Sequence, residues 1–185
     1  METFAILFYL LILFLLCATL LFLLYCILPI VITRAPFINI NPRAVPEILK
    51  ALDLKGGSVF YDLGCGDGRV VRAAAEAQPG ARCIGVDKAH VPVWLARWRA
   101  RNVKTKNLTF LRENIFTMDL SDATQIYTFL YPKPMQILLP RFENILRPGT
   151  RVVDGDFPIH GRTPVRIIPL QHQDKFGRTL YVYEF

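Results

Sequence analysis

The residues best suited to chemistry lie in one short stretch, VFYDLGCGDGR, from Val59 to Arg69. Gly64, Gly66 and Gly68 alternate with other residues, and glycine lets the backbone take positive φ and lets a ligand come close. After the first strand of an open α/β sheet, such a turn lines a nucleotide site. Asp62 would repel a pyrophosphate and would suit a cationic amino group. The spacing G-x-G-x-G, with Arg69 where a third small residue should stand, also differs from dinucleotide-binding turns.

Two further polar residues follow the next two predicted strands. Asp87 stands 19 residues after Gly68, where its carboxylate could accept hydrogen bonds from both ribose hydroxyls of a nucleotide. The alternative for Asp87 is an exposed aspartate at a strand end. Asn114 could donate and accept at the edge of an adenine, or it could cap a turn. The predicted cofactor site comprises Asp62, Gly64, Gly66, Gly68, Asp87 and Asn114.

The elements that must position these residues alternate between strand and helix. Strands are predicted at 58–63, 81–86, 109–111, 125–130 and 151–154, and helices at 69–77, 93–101 and 134–146. Two further strands, 165–170 and 179–185, then follow each other around Gly177. A helix capped by Asn41, with Pro42 in its first turn, precedes the first strand. This order predicts an α/β fold with a mostly parallel sheet and an antiparallel finish.

The N-terminal segment carries no charged residue from Thr3 to Thr33 and is dominated by Leu, Ile, Phe, Val and Ala. A bilayer core needs about 20 apolar residues in a helix. A cleaved signal peptide would have a basic start and a shorter apolar stretch. We therefore predict a transmembrane anchor in residues 1–33, a linker and first helix in 34–57, and the α/β domain in 58–185.

Charge predicts the topology and a partner of the domain. Arg34 and Arg43 follow the apolar segment and no basic residue precedes it, so the positive-inside rule places the N-terminus outside and the domain in the cytoplasm. The 22 basic residues and all acidic residues except Glu2 follow the helix, which gives that part a net charge of +8. Anionic lipid and nucleic acid are the competing partners. Without a visible basic stripe interleaved with aromatic residues, we predict contact with the lipid bilayer and no nucleic acid.

The sequence does not gather residues for metal or redox chemistry. The four cysteines form no C-x-x-C pair, so neither zinc nor a redox couple is indicated. His90, His160 and His172 are scattered and are predicted to be surface or turn residues. No metal site is predicted. Trp94 and Trp98, four residues apart, are predicted to pack against the sheet rather than to form a cage for a cation.

The glycine-rich stretch, the acid at position 87 and the polar residue at position 114 together resemble the motifs of class I S-adenosylmethionine (SAM)-dependent methyltransferases. The resemblance covers about residues 37–185. It implies a Rossmann-like sheet, SAM as the cofactor and methyl transfer as the reaction. Asp62 would then face the amino group of the methionine part of SAM.

A more specific resemblance lies in VPVWLARWRA, ENIFTMDLSDATQIYTFLYPKPM and LRPGTRVVDGDFPI. These segments look like those of the small membrane-associated protein-lysine methyltransferases that modify the ATP synthase c-subunit and the adenine nucleotide translocase. That family also has a membrane segment directly before its domain. It usually has Glu in place of Asp87 and Asp in place of Asn114. Where this chain has Asp154-Gly155-Asp156, the family tends to have apolar and then basic residues.

The resemblance implies N-methylation of a lysine in a membrane or membrane-associated protein. Methyl transfer from SAM needs no covalent nucleophile, because the protein supplies position and electrostatics. The lysine amine, with an ordinary pKa near 10.4, must lose a proton. From their positions after the fourth and third strands, Tyr131 is predicted to orient the amine and Glu113 to be its acid partner. The alternatives are a methyltransferase for a lipid, a quinone or another small molecule, a nucleotide-binding module without activity, and a NAD-dependent reductase. The glycine spacing disfavours the reductase.

Overall fold

A computed structural model describes residues 2–33, 40–103, 105–171 and 177–185 of the chain. The chain divides into two units, residues 1–38 and 39–185. The first unit holds a single described helix, α1 (Glu2–Thr33). Its stretch Phe4–Ile27 has a mean hydropathy of 3.0 over 24 residues and is not buried. By length and composition, α1 could therefore cross a membrane.

The second unit is an α/β domain whose elements largely follow the predicted order. Its strands are β1 (Val59–Leu63), β2 (Arg82–Asp87), β3 (Leu108–Arg112), β4 (Gln125–Thr128), β5 (Arg151–Gly155), β6 (Arg166–Pro169) and β7 (Thr179–Glu184). Its helices are α2 (Val45–Leu52), α3 (Arg69–Ala77), α4 (His90–Arg99) and α5 (Pro132–Ile145), with short 3-10 turns at Pro42–Ala44 and Ala100–Asn102. Most boundaries differ from prediction by one or two residues.

The described strands form one sheet in the order β3-β2-β1-β4-β5-β7-β6. The first five strands are parallel to their neighbours, whereas β7 runs antiparallel to both β5 and β6. The predicted mostly parallel, Rossmann-like sheet with an antiparallel finish is confirmed. The carboxyl ends of β1 to β5 share one edge of the sheet, where open α/β folds bind ligands.

Each face of the sheet buries its own apolar cluster, because successive side chains of a strand point to opposite faces. Phe60, Tyr127 and Val153 lie in one cluster, together with buried residues of α2, α3 and α4. Tyr61 and Ile126 lie in the other cluster, together with buried residues of α5. Helices therefore cover both faces, and the parallel strands are buried as parallel sheets require.

The prediction that Trp94 and Trp98 pack against the sheet is wrong. Their exposed fractions are 60% and 52%. The inner face of α4 is made instead by Val93 and Ala96, which are 2% and 0% exposed. A spacing of four residues places two side chains on the same face of a helix, but it does not say which face meets the core.

Candidate active site

The glycine-rich turn connects the end of β1 to the start of α3. Gly64, Gly66 and Gly68 have φ values of 84°, 55° and 73°, a region that residues with a side chain rarely adopt. The backbone N–H groups of Gly64 and Cys65 donate to the carbonyl oxygen of Val86 at 2.8 and 3.0 Å. The turn is thus fixed to the end of β2, and Gly64 and Gly66 are its exposed and half-buried positions at the carboxyl edge of the sheet.

Replacing Gly68 with alanine is expected to destabilise the domain more than a glycine substitution at an open turn. A Cβ at Gly68 would lie 2.5 Å from Cε1 of Phe110, whereas Gly149, with a φ of +86°, has no atom within 4 Å of that position. We expect a loss of about 3 kcal/mol for Gly68→Ala, from backbone strain and overpacking, and about 1 kcal/mol for Gly149→Ala. Thermal unfolding of the detergent-solubilised chain measures both, and equal losses would contradict the packing argument.

Asp62 lies beneath this turn and is 3% exposed. Burial, followed by the negative charges of Asp87 and Asp67, raises the pKa of Asp62 well above its usual value. A buried carboxyl in such surroundings is stabilised in its ionised form by a cationic partner. Asp62 therefore fits the cationic ammonium that the sequence predicted for this position.

Asp87, at the end of β2, is half-buried and joins two backbone segments. Its Oδ2 accepts a hydrogen bond from the N–H of Gly66 at 3.2 Å, and its Oδ1 accepts one from the N–H of Ala89 at 2.8 Å. Burial raises the pKa of Asp87, and hydrogen bonds from Ala89, Gly66 and Lys88 oppose that rise. Asp87 is therefore not the exposed strand-end residue that the sequence left open, and it touches the glycine-rich turn directly.

Asn114 caps a turn after β3, which is one of its two predicted roles. Its Oδ1 accepts from the N–H of Phe116 at 3.1 Å, and its carbonyl oxygen accepts from the N–H groups of Thr117 and Met118 at 3.0 and 3.1 Å. Because the turn engages Oδ1, a contact with adenine would come from the amide nitrogen. That contact stays a prediction.

Asp67 forms an ion cluster that the sequence analysis missed. Its side chain is 4% exposed and accepts from Nε and Nη2 of Arg69 at 2.9 and 2.8 Å, and it also pairs with Arg99. Burial opposes ionisation of Asp67, but the hydrogen bonds and charges of the two arginines outweigh it and lower the pKa. Arg69 occupies the position at which a dinucleotide-binding turn has its third small residue, and its pairing with Asp67 fixes the turn. The nearby Asp-x-Arg spacing signals this pair, whereas nothing in the sequence signals Arg99.

Tyr131 and Glu113, the two predicted catalytic residues, lie at different places along the sheet edge. Tyr131 immediately precedes α5 and is half-buried, and its ring centroid lies 5.7 Å from that of Phe157. Glu113 is exposed and follows β3, where its N–H donates to the carbonyl oxygen of Asp87 at 3.2 Å. The sheet order places β3 three strand spacings from β4, or about 14 Å. The structure therefore groups Glu113 with Asp87 and does not bring it beside Tyr131.

Asp154 is a second buried acid that the sequence analysis did not include in the site. It lies on β5, is fully buried, and accepts a hydrogen bond from Oγ1 of Thr128 on β4 at 2.7 Å. Its other oxygen, Oδ2, is buried without a hydrogen-bond partner among the described residues. Burial raises the pKa of Asp154 well above its usual value. The carboxyl thus lies near the ends of β4 and β5, beside Thr128, and Tyr131 follows Thr128 by three residues.

Metal-binding geometry is not found in the part of the chain that the structure describes. No group of three His, Cys, Asp or Glu side chains there could hold an ion. Within that part, His90 and His160 are exposed, as predicted, whereas His172 lies outside the described residues. Arg112 Nη1 lies 3.4 Å from Nδ1 of His90.

Solved structures with this fold are methyltransferases in complex with S-adenosylhomocysteine, which is SAM without its methyl group. An RNA methyltransferase from Salinibacter ruber, in complex with S-adenosylhomocysteine, is similar to this chain with a TM-score of 0.73 and 32% identity, over 80% of this chain and 93% of that one. A SAM-dependent methyltransferase from Geobacter sulfurreducens shares the fold, with a TM-score of 0.55 and 21% identity over 63% of this chain and 49% of that one. The chain is a SAM-dependent methyltransferase.

Its family follows from the sequence comparisons. The family model of the ANTKMT methyltransferase domain matches residues 62–166, and the chain belongs to that family. A protein-lysine N-methyltransferase of Saccharolobus islandicus is 30% identical over 82% of this chain and 94% of its own length. The adenine nucleotide translocase lysine N-methyltransferase of Mus musculus is 32% identical over 73% of this chain, which spans 58% of the mouse protein. The resemblance predicted from the sequence is confirmed.

Proposed function

We propose that this chain is a protein-lysine N-methyltransferase held at a membrane surface, and that it modifies a lysine of a membrane or membrane-associated protein. The observation that carries the proposal is the family match over residues 62–166, whose related proteins are named for lysine methylation. Helix α1, which is long and apolar enough to cross a membrane, supports the location. Confinement of an enzyme and its target to one membrane raises their effective concentration.

Different residues of the chain bind different parts of SAM, which supplies a methyl group on a positively charged sulfur. Asp62 binds the amino group as a buried counter-charge, and Asp87 accepts hydrogen bonds from the ribose. Gly64 and Gly66, which are exposed and half-buried, carry no side chain and so let the cofactor approach the backbone, whereas Gly68 leaves room for Phe110. Asn114 contacts the adenine through its amide nitrogen. These roles share one edge of the sheet.

The acceptor amine enters beside the ends of β4 and β5. Tyr131 and Phe157, whose ring centroids lie 5.7 Å apart, offer an apolar wall that favours the neutral amine, because desolvation lowers the pKa of an ammonium group. The phenol of Tyr131 orients the nitrogen. Glu113 remains a candidate that acts from the β3 side.

The anchor fixes the expected location. Because Arg34 and Arg43 follow α1 and no basic residue precedes it, the N-terminus lies outside and the catalytic domain lies in the cytoplasm. This orientation is tested by attaching a reporter to either end of the full chain. The measurement is whether a membrane-impermeant label reaches the reporter. A reporter after Phe185 that is labelled in intact cells would contradict it.

Transfer of labelled methyl groups tests the acceptor class. Membranes that contain the full chain are incubated with methyl-labelled SAM and then separated into protein, lipid and RNA fractions. We expect a labelled protein band that is absent with Asp62→Asn, and mass spectrometry of that band identifies the modified residue. Label in extractable lipid would support the alternative, an enzyme for a lipid or quinone. Label in RNA would instead indicate RNA methylation, the activity for which the similar protein from Salinibacter ruber is named.

Tyr131→Phe is expected to lower kcat about 10- to 100-fold and to leave SAM binding unchanged, because an orienting hydrogen bond is lost at the reacting nitrogen. Glu113→Gln is expected to have a smaller effect, since β3 lies three spacings from β4. Glu76→Gln, an exposed carboxylate on α3, is the matched control. Initial rates with the identified acceptor measure all three. Full turnover in both site variants would remove Tyr131 and Glu113 from the reaction.

A further inference from the structure

The positive charge of the chain is concentrated in one segment. Residues 88–112 contain no Asp or Glu and carry seven basic residues: Lys88, Arg97, Arg99, Arg101, Lys104, Lys106 and Arg112. The remaining 15 basic and 15 acidic residues cancel, so this segment accounts for the whole net charge of +7. The segment comprises α4, the turn that follows it and β3, and it lies at the β3 edge of the sheet.

The outer face of α4 is apolar as well as basic. Val91, Trp94 and Trp98 are 49%, 60% and 52% exposed, and their spacing of three and four residues places them in one stripe along the helix. Val93 and Ala96 fill the inner face. A surface helix normally exposes polar residues opposite its core face, so an outward stripe of this size marks a contact surface.

Two arginines beside this stripe are fixed by the domain. Nη2 of Arg97 donates to the carbonyl oxygen of Phe110 at 2.7 Å, and Arg99 pairs with Asp67 while its side chain stays 38% exposed. Arg101 is exposed one turn after Trp98. The Trp–Arg face, defined as Val91, Trp94, Trp98, Arg97 and Arg101, therefore combines an apolar centre with the fixed guanidinium of Arg97 and the exposed Arg101. Basic and aromatic residues are therefore interleaved on this face, although no such stripe was recognised from the sequence.

We propose that the Trp–Arg face of α4 binds the anionic surface of a lipid bilayer. Tryptophan is enriched at the membrane–water interface, and arginine extends its head toward phosphates while its stem lies on apolar surface. A helix with an apolar stripe and a cationic rim is typical of interfacial binding. The proposal rests on the proposed membrane anchoring. Six residues, 34–39, separate α1 from the described start of the domain, so a bilayer crossed by α1 is the surface most available to it.

Single-stranded RNA is the competing ligand, because bases stack on tryptophan and arginine lines the backbone in such sites. The observations favour lipid. Val91 extends the stripe with an aliphatic side chain that offers no stacking surface, and α1 in the same chain is long and apolar enough to span a membrane. RNA binding is therefore an outcome of the test.

Tryptophan fluorescence measures the environment of this face directly, because Trp94 and Trp98 are the only tryptophans of the chain. The full chain is reconstituted into vesicles of brominated phosphatidylcholine, with or without phosphatidylglycerol. We expect emission at shorter wavelength and quenching of about twofold or more when phosphatidylglycerol is present, since an interfacial helix face lies in the headgroup region. Arg101→Gln should reduce quenching, whereas Arg147→Gln removes equal charge from an exposed site elsewhere and should not.

The outcomes separate this proposal from the anchoring on which it rests. Flotation of the vesicles after an alkaline wash tests membrane insertion independently of the tryptophans. A chain that floats but shows unquenched, water-exposed tryptophan emission would overturn the Trp–Arg face as a lipid site. Quenching that is equal without phosphatidylglycerol would overturn its preference for an anionic surface. Emission that responds to single-stranded RNA in detergent, but not to lipid, would assign the face to RNA.

Discussion

Replacing Asp87 with alanine is expected to weaken SAM binding about 100- to 1000-fold while the domain stays folded. A hydrogen bond to a charged group contributes about 1.5–3 kcal/mol, and two such bonds to the ribose hydroxyls account for a loss of this size. Asp87 also accepts from the N–H groups of Gly66 and Ala89. Its loss therefore loosens the glycine-rich turn in addition to removing the acceptor.

Two variants separate these contributions. Asp87→Asn retains an oxygen for one backbone N–H but loses the charge, and it should bind SAM more tightly than the alanine variant. Asp87→Glu, the residue that the resembling family usually has here, should stay within about tenfold of the parent chain. Calorimetric titration with SAM gives the affinities, and the unfolding midpoint checks the fold. Unchanged affinity in Asp87→Ala would remove Asp87 from the site.

The glycine-rich turn and the sheet were predictable because their signals are local. Each strand is a short apolar run bounded by turn residues, and the positive φ values of Gly64 and Gly68 leave glycine as the favoured residue. Pairing of Arg69 with Asp67 is equally local. By contrast, Arg99 meets Asp67 from 32 positions away, and this contact exists only because α4 packs near the turn.

Residues that depend on the order of strands were less predictable. Glu113 and Tyr131 are 18 positions apart in the chain, yet β2 and β1 lie between their strands in the sheet. Asp154 and Thr128 meet because β4 and β5 are neighbours, which turns an ordinary strand-end acid into a buried one. Exposure of Trp94 and Trp98 likewise depends on which side of α4 meets the sheet. A helix that is apolar on two sides carries no periodic signal for that choice.

The pH dependence of SAM binding is expected to depend on Asp62. In the protein without cofactor, burial and the charges of Asp87 and Asp67 raise the pKa of this carboxyl. The ammonium group of SAM stabilises the ionised form and therefore lowers that pKa on binding. Binding then releases a proton wherever Asp62 starts protonated. Affinity should rise with pH, by up to about tenfold per unit, until the pH exceeds the raised pKa of the unbound protein, and then level off.

Asp62→Asn isolates this effect. The amide is similar in size and cannot ionise, so we expect weak binding at every pH and loss of the slope that belongs to Asp62. A smaller slope should persist in that variant, because burial raises the pKa of Asp87 as well. Calorimetric titrations between mildly acidic and neutral pH measure the slopes, and repetition in buffers with different ionisation enthalpies counts the protons released. If Asp62→Asn kept the same slope and the same proton count, the carboxyl that titrates on SAM binding would lie elsewhere, and Asp62 would not be the counter-charge to the amino group.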